Sequence, residues 1–142
     1  MANIVDYIQD QIEGILKDGG IPSIKENSLD VVYEVKSALA KQGLACIIAV
    51  PTIACQGNNG RNKLAWQADV EIQIFENPVI NRAALKKAGK TSGTAMDIAL
   101  AAADLIAAPG SSVVPRYVVD DITETVQDQH VLVVLKARTV AL

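Results

Sequence analysis

A chain of 142 residues, half of them hydrophobic and a fifth charged, has the composition of an ordinary globular domain. Such a chain buries roughly 68–70% of its unfolded surface without a disulfide or metal staple. Its hydrophobic content excludes disorder throughout, 9 Gly and 5 Pro exclude collagen-like or low-complexity structure, and no apolar run reaches the roughly 18 residues of a membrane span. A net charge of -3 argues against a general nucleic-acid binder held by phosphate contacts.

The N-terminal MANIVDYIQDQIEGILK lacks a basic n-region and is not expected to be a signal peptide. Residues 3–17 read as an amphipathic helix. Ile4, Ile8, Ile12 and Ile15/Leu16 recur at helical spacing, with Asp6, Gln9, Asp10 and Glu13 off that face. Asp18-Gly19-Gly20 stops it. A second helix is expected from about 29 to 42, capped by Ser28, striped by Leu29, Val32, Val35 and Leu39, and ended by Gly43. Residues 44–55, rich in Ile, Val, Cys and Ala, suit a strand that Pro51 bends or places at an edge. Gln56 to Arg61, with two Gly and two Asn, reads as a hairpin connection.

The clearest local signal is LAWQADVEIQIF. Leu64, Trp66, Ala68, Val70, Ile72 and Ile74 fall on one face, and Gln67, Asp69, Glu71 and Gln73 on the other. Strict alternation of this kind is a half-buried strand. Residues 76–93 read as a basic loop with a short helical turn. Thr94 to Asp97 has capping-box spacing and opens a third helix striped by Met96, Leu100, Ala103 and Ile106/Ala107. Its alanines favour close approach to a sheet. Ala108-Pro109-Gly110 ends it. Two strands near 117–126 and 129–140 close the chain around a turn at Gln127-Asp128, the last suiting a central position.

These elements predict an α+β fold over residues 1–142 as a single domain, with an N-terminal helical region of about 3–42 and a sheet-and-helix core of about 44–142. The order is helix, helix, strand, strand, helix, strand, strand. The simplest architecture is a four-stranded mixed or antiparallel sheet with helices packed on one face.

Catalytic patterns fail on inspection. Cys46 and Cys55 sit in an apolar run and read as small hydrophobes. His130 is the single histidine, so a zinc site lacks ligands of the usual type. A Ser–His or Cys–His pair would have to use this residue at the start of an apolar strand, where a packed or half-exposed strand histidine is the plainer reading. Gly89-Lys90-Thr91 resembles the end of a phosphate loop, but Ala84 occupies the required upstream Gly position. Asp120 and Asp121, adjacent in a strand, are expected to point to opposite faces. No catalytic set, metal or cofactor is predicted.

The stretch Leu64 to Phe75 resembles the Trp-Gln-Ala strand of tail terminator proteins of tailed bacteriophages, and its place after a helical region and one strand, before a helix and a closing hairpin, is similar as well. The resemblance implies a non-enzymatic structural protein of the virion, assembled in the host cytoplasm. It implies a homohexameric ring that caps the tail tube and presents a surface to the neck of the head. Implied partners are other copies of the chain, the tube protein and a neck or head-completion protein, with the tail sheath as a further candidate. No sequence-specific nucleic-acid or membrane binding is expected. The longer N-terminal helical region and the basic loop 82–91 depart from the family and leave open another ring protein of the neck, such as a connector. From other classes, a small α/β enzyme with an interfacial site and a monomeric binding module remain alternatives.

Charge is unevenly spread. Asp6, Asp10, Glu13, Asp18, Glu26 and Asp30 crowd residues 1–30, while Arg61, Lys63, Arg82, Lys86, Lys87 and Lys90 crowd 61–90. Such polarity can join copies head to tail. Arg82, Lys86, Lys87 and Lys90 are therefore candidate interface residues on a mobile loop, ordered against an acidic surface of a neighbour or of the tube. Gln67, Asp69, Glu71 and Gln73 are candidate channel-facing residues, whose negative charge would repel passing DNA phosphates. The plain alternatives are a solvated loop and an ordinary wet sheet face.

Overall fold

Alternation around Val70 is the feature on which the fold is organised, and a computed structural model shows why. It describes residues 4–55, 66–107 and 116–139, without the side chains of Cys55 and Trp66. In chain order the elements are α1 (Ile4–Asp18), β1 (Ile24–Lys25), α2 (Val31–Gln42), β2 (Leu44–Cys55), β3 (Trp66–Glu76), α3 (Pro78–Lys87), α4 (Ala95–Ala107), β4 (Tyr117–Gln127) and β5 (His130–Thr139). The sheet runs β1-β2-β3-β5-β4, with β1 parallel to β2 and every other pair antiparallel. The expected connection at Gln56 to Arg61, Leu64, the Ala108-Pro109-Gly110 stop and the end of the last strand at Val140 lie outside the described residues.

β3 is interior. Its Ala68, Val70, Ile72 and Ile74 are buried, and register places Ile48 of β2 and Leu135 of β5 on either side of Ile72. On that core face α1 contributes Ile8, Ile12 and Leu16, all fully buried. Each such side chain stabilises the fold by roughly 1.5–3 kcal/mol relative to leaving it in water. Gln9, expected off the apolar face, is also buried, and its amide nitrogen donates to the Ile48 carbonyl at 3.2 Å, so burial and a hydrogen bond come together. β5 takes the central position expected of it. At the far end of β5 the Thr139 hydroxyl accepts from the Ala68 amide at 3.0 Å.

The α+β class stands, but the sheet has five strands and the chain four described helices, which corrects both the strand count and the element order. β1 is two residues long and carries no periodicity of its own. α3 occupies the supposed basic loop. Asn77 caps it, with Oδ1 accepting from the Ile80 amide at 3.4 Å, and Pro78 opens it, where a missing N–H costs nothing.

Helix faces also differ. On α4 the buried residues are Ala95, Ala99, Ala102 and Ile106. Ile106 belongs to the expected stripe, whereas the three alanines stand one position before Met96, Leu100 and Ala103, and Leu100 is exposed. Alanines, having short side chains, let the helix axis approach β3, β4 and β5 closely, and this contact wins over the larger apolar residues. No residue of α2 is buried. Leu29, before it, is 101% exposed and Val32 64%. Ser28 does not cap α2; its hydroxyl instead lies 3.5 Å from Glu34 Oε2, and Asp30 holds the cap position without a side-chain bond. Helices do not share one face either. α1 and α4 cover the core face, whereas Val31, Val32 and Val35 of α2 line a shallow groove with Ile47 and Gln73 of the opposite, outer face.

Candidate functional site

Two charged surfaces stand at opposite ends of β3. The first is a basic corner between α3 and α4. Arg82, Lys86 and Lys90 are spaced by four, so they line one side of α3 and its C-terminal turn. Together with Leu85, Thr91 and Thr94 they line a hollow of about 600 Å³. Lys87, a third of a turn away, does not. The expected mobile loop is thus corrected: Arg82, Lys86 and Lys87 are helical, and Lys90 follows a closed helix end in which its amide donates to the Leu85 carbonyl at 2.9 Å. Lys86 and Lys87 in the last turn also complement the helix dipole. Arg82 Nε lies 3.8 Å from Glu76 Oε2, while Lys86, Lys87 and Lys90 make no ion pair among the described residues.

Behind this corner is a network that sequence reasoning missed. Glu76 continues the inward series of Ala68 to Ile74 and is 1% exposed. Its Oε1 accepts from the Ala95 amide at 3.1 Å and its Oε2 from Asn81 Nδ2 at 2.8 Å. Asn81 Nδ2 also donates to the Gly93 carbonyl at 3.1 Å. A carboxylate at an inward strand position, followed at once by Asn77-Pro78, was the signal available. The next amides are taken as well. Asp97 Oδ2 accepts from Gly93 N at 3.0 Å, Thr94 N at 3.1 Å and the Thr94 hydroxyl at 2.9 Å, and Asp97 N donates to Thr94 Oγ1 at 3.3 Å. This is the capping box foreseen from sequence. It leaves these four amides satisfied, and Gly89-Lys90-Thr91 follows a helix and not a strand, so the corner is not a phosphate loop.

Those amide bonds hold the Asp97 carboxyl below its ordinary 3.8, the Gly93 amide being the largest cause. A lowered folded-state pKa adds stability that is complete above the unfolded value and fades as pH falls through the folded one. Thr94→Ala is expected to cost about 1 kcal/mol in urea unfolding at neutral pH. The stability gap between the wild type and Asp97→Ala should be flat above about pH 5 and shrink in acid.

The second surface is the outer sheet face beyond α2. Gln67, Asp69, Glu71 and Gln73 all lie on it as expected, with Asp69 opposite Arg138 and Glu71 opposite Lys136 of β5 in register. Gln67 is tied down by a bond from Nε2 to the Thr139 carbonyl at 3.1 Å, and Gln73 Nε2 donates to Glu71 Oε1 at 3.3 Å. Asp120 and Asp121 correct the expectation that they diverge. The β4–β5 register shifts between Val119 and Asp121, a bulge that turns both carboxylates to the outer side. Asp120 Oδ1 accepts from Arg138 Nε at 3.1 Å, and Asp121 stands opposite Lys136. Asp69, Glu71, Asp120, Asp121, Lys136 and Thr52 line a hollow of about 440 Å³.

Elsewhere, the N-terminal acids are partly used within the chain. Asp10 Oδ1 receives Lys25 Nζ at 2.7 Å and raises its pKa, with Glu13 and Asp6 adding to the effect, and Asp6 also accepts from Asn27. Burial pushes the Cys46 thiol up to about 12, so it is inert at neutral pH, and His130 is exposed at the start of β5. Tyr117, whose pKa is raised mainly by burial, donates to Gln11 Oε1 at 2.7 Å. An apolar cavity of about 480 Å³ lies between α2, β2 and α4, lined among others by Ile21, Ser23, Leu44, Cys46, Lys90 and Ile98. No protein-family model matches the sequence, and no curated protein matches it.

Proposed function

We propose that the chain is a structural protein of a phage tail that assembles into a ring, the tail terminator being the reading that fits best. It would act by surface complementarity, with copies matching the symmetry of the tube, blocking further tube addition and offering a face to the neck. The observation that carries this reading is the β3 ribbon, whose residues resemble the terminator strand. It forms an interior strand with Gln67, Asp69, Glu71 and Gln73 on the outer face, where no described helix lies over the hollow at Asp69 and Glu71, before helices and a closing hairpin. Two charged surfaces on one subunit suit heterologous contacts, the kind that close rings.

Native mass spectrometry, with and without purified tubes, tests the proposal. A hexamer, or a monomer that becomes a ring on tubes, is the expected result. A chain that stays monomeric with tubes present overturns it. A particle that binds heads but not tubes moves the assignment to a head-completion or connector protein of the neck. One observation favours a reading from another class, a small-molecule binding module: the apolar cavity that Ser23 and Lys90 share with Cys46. A monomer with ligand-induced thermal stabilisation, abolished by Cys46→Trp, would support it.

A further inference from the structure

We infer that the bare, charged half of the outer sheet face (Asp69, Glu71, Asp120, Asp121) receives the α3–α4 corner (Arg82, Lys86, Lys90) of a second copy of this chain. The inference rests on the ring reading above and names the surfaces through which the ring would close.

Three observations converge on it. The outer face is covered unevenly: Ala45 and Ile47 are buried on the side where α2 leans over β2, while no described helix lies over the hollow around Asp69, Glu71 and Lys136. The bulge at Asp120 adds two carboxylates to that bare half, giving four acids against Lys136 and Arg138. Only Asp120 forms an ion pair there, with Arg138; Asp69, Glu71 and Asp121 form none among the described residues. Lys136 and Arg138, their cross-strand neighbours, are two bases against four acids, which leaves the patch net acidic. The basic corner mirrors this, since Lys86 and Lys90 line a hollow and form no ion pair among the described residues.

Position makes the match intermolecular. Asp69 lies near the start of β3, and the chain enters α3 directly after Glu76. Five residues (from Glu71) to seven (from Asp69) of extended strand separate the acids from Glu76, roughly 17–24 Å. That exceeds a Debye length of about 8 Å at physiological ionic strength, so neither surface can screen the other within one subunit. A surface on one end that fits a different surface on the other end gives a heterologous contact, and repetition of such a contact produces a closed ring or an open filament. The N-terminal acids are the weaker partner for the corner, because Asp10, Glu13 and Asp6 already face Lys25. Under this assignment Asp69 and Glu71 meet a neighbour and do not line a channel.

Charge exchange tests it. The four residues to be changed are exposed, and circular dichroism with urea unfolding checks each variant's fold. Lys86→Glu with Lys90→Glu in one protein, and Asp69→Lys with Asp121→Lys in another, should each raise the concentration needed for assembly by about a hundredfold, since like charges would now face each other. Mixing the two proteins in equal amounts should restore a ring with alternating subunits, and combining all four changes in one chain should restore it as well. If the lysine changes unfold β3 or β4, Asp69→Asn with Asp121→Asn supplies the milder reversal and should weaken assembly by about tenfold. Assembly indifferent to either set of changes, or folded variants that fail to rescue each other, overturns the inference while a wild-type ring keeps the functional reading. Loss of tube capping with self-assembly intact would give the basic corner to the tube and also overturn it. A wild type that never assembles, even on tubes, removes both.

Discussion

Gly43→Ala is expected to destabilise the protein by about 3–5 kcal/mol, near the upper end of what a single substitution does. Gly43 closes α2 in the left-handed region at φ 72°, with its amide bonded to the Leu39 carbonyl at 3.0 Å. An alanine there carries a backbone strain of about 1–2 kcal/mol. The larger part comes from space. A Cβ at Gly43 would stand 2.4 Å from the Asn81 amide nitrogen and 2.9 Å from both the Asn77 carbonyl oxygen and Asn81 Cα. Carbon atoms in favourable contact lie about 3.5–4.0 Å apart. The obstructing atoms are backbone of the first turn of α3, so no rotamer change relieves them. α3 would have to withdraw, yet the Asn77 amide is bonded to the Gly43 carbonyl at 2.8 Å and Asn81 is held by Glu76 and Gly93. Gly20 is the control. It has φ 82°, and nothing lies within 4 Å of its notional Cβ, so Gly20→Ala should cost only the strain of about 1–2 kcal/mol. Equal urea midpoints for the two variants would show that the approach of α3 to Gly43 has no energetic weight.

That α2 ends at a left-handed glycine was readable from sequence, because the position needs a residue without Cβ and the hydrophobic pattern stops there. What lies against the glycine was not readable. The same division runs through the fold. β3 was legible because period-two burial writes itself directly into Ala68, Val70, Ile72 and Ile74. α1 was legible because large Ile and Leu side chains contrast with acids on the other side. α4 was recognised as a helix, but its phase was wrong: alanine carries little hydrophobic contrast, and distance to the sheet, a tertiary quantity, selected the face. α3 was lost because Leu85 is a weak stripe among alanines and lysines, although Asn77-Pro78 marked its start. β1 gains its identity only from its bonds to Ile47 and Ile48. At the charged surfaces, sequence mistook the setting of the residues it named. Arg82 and Lys86 were seen as neighbours in a loop, when helical spacing aligns them. Asp120 and Asp121 were separated by a rule for regular strands that a bulge suspends, and a register shift depends on the partner strand.

Glu76→Ala should cost about 2–4 kcal/mol, and its pattern of coupling matters more than its size. Truncation leaves the Ala95 amide and one Asn81 hydrogen without acceptors in a buried place, where each unsatisfied donor costs about 1–3 kcal/mol. Burying a carboxyl group is itself unfavourable, and the Arg82 guanidinium at 3.8 Å is mostly exposed, so hydrogen bonds rather than ion pairing must hold the side chain in place. Glu76→Gln separates the two contributions. Glutamine keeps one acceptor oxygen for Ala95 but turns an NH2 group towards the Asn81 NH2, and Asn81 can meet it only by flipping and giving up the Gly93 carbonyl. The expected loss is about 1–2 kcal/mol, less than for alanine. Because Asn81 shares the network, Glu76→Ala combined with Asn81→Ala should cost less than the two single changes added together, by about 1 kcal/mol or more. Strict additivity would mean that the two side chains act independently, and the network would then not be a unit. If it is a unit, its loss reaches the surface: Glu76 joins the end of β3 to Asn81 in α3 and to the first residue of α4, and those helices place Arg82, Lys86 and Lys90. A Glu76→Gln protein that stays folded should therefore assemble less readily than the wild type at equal salt, although none of its surface charges has been changed.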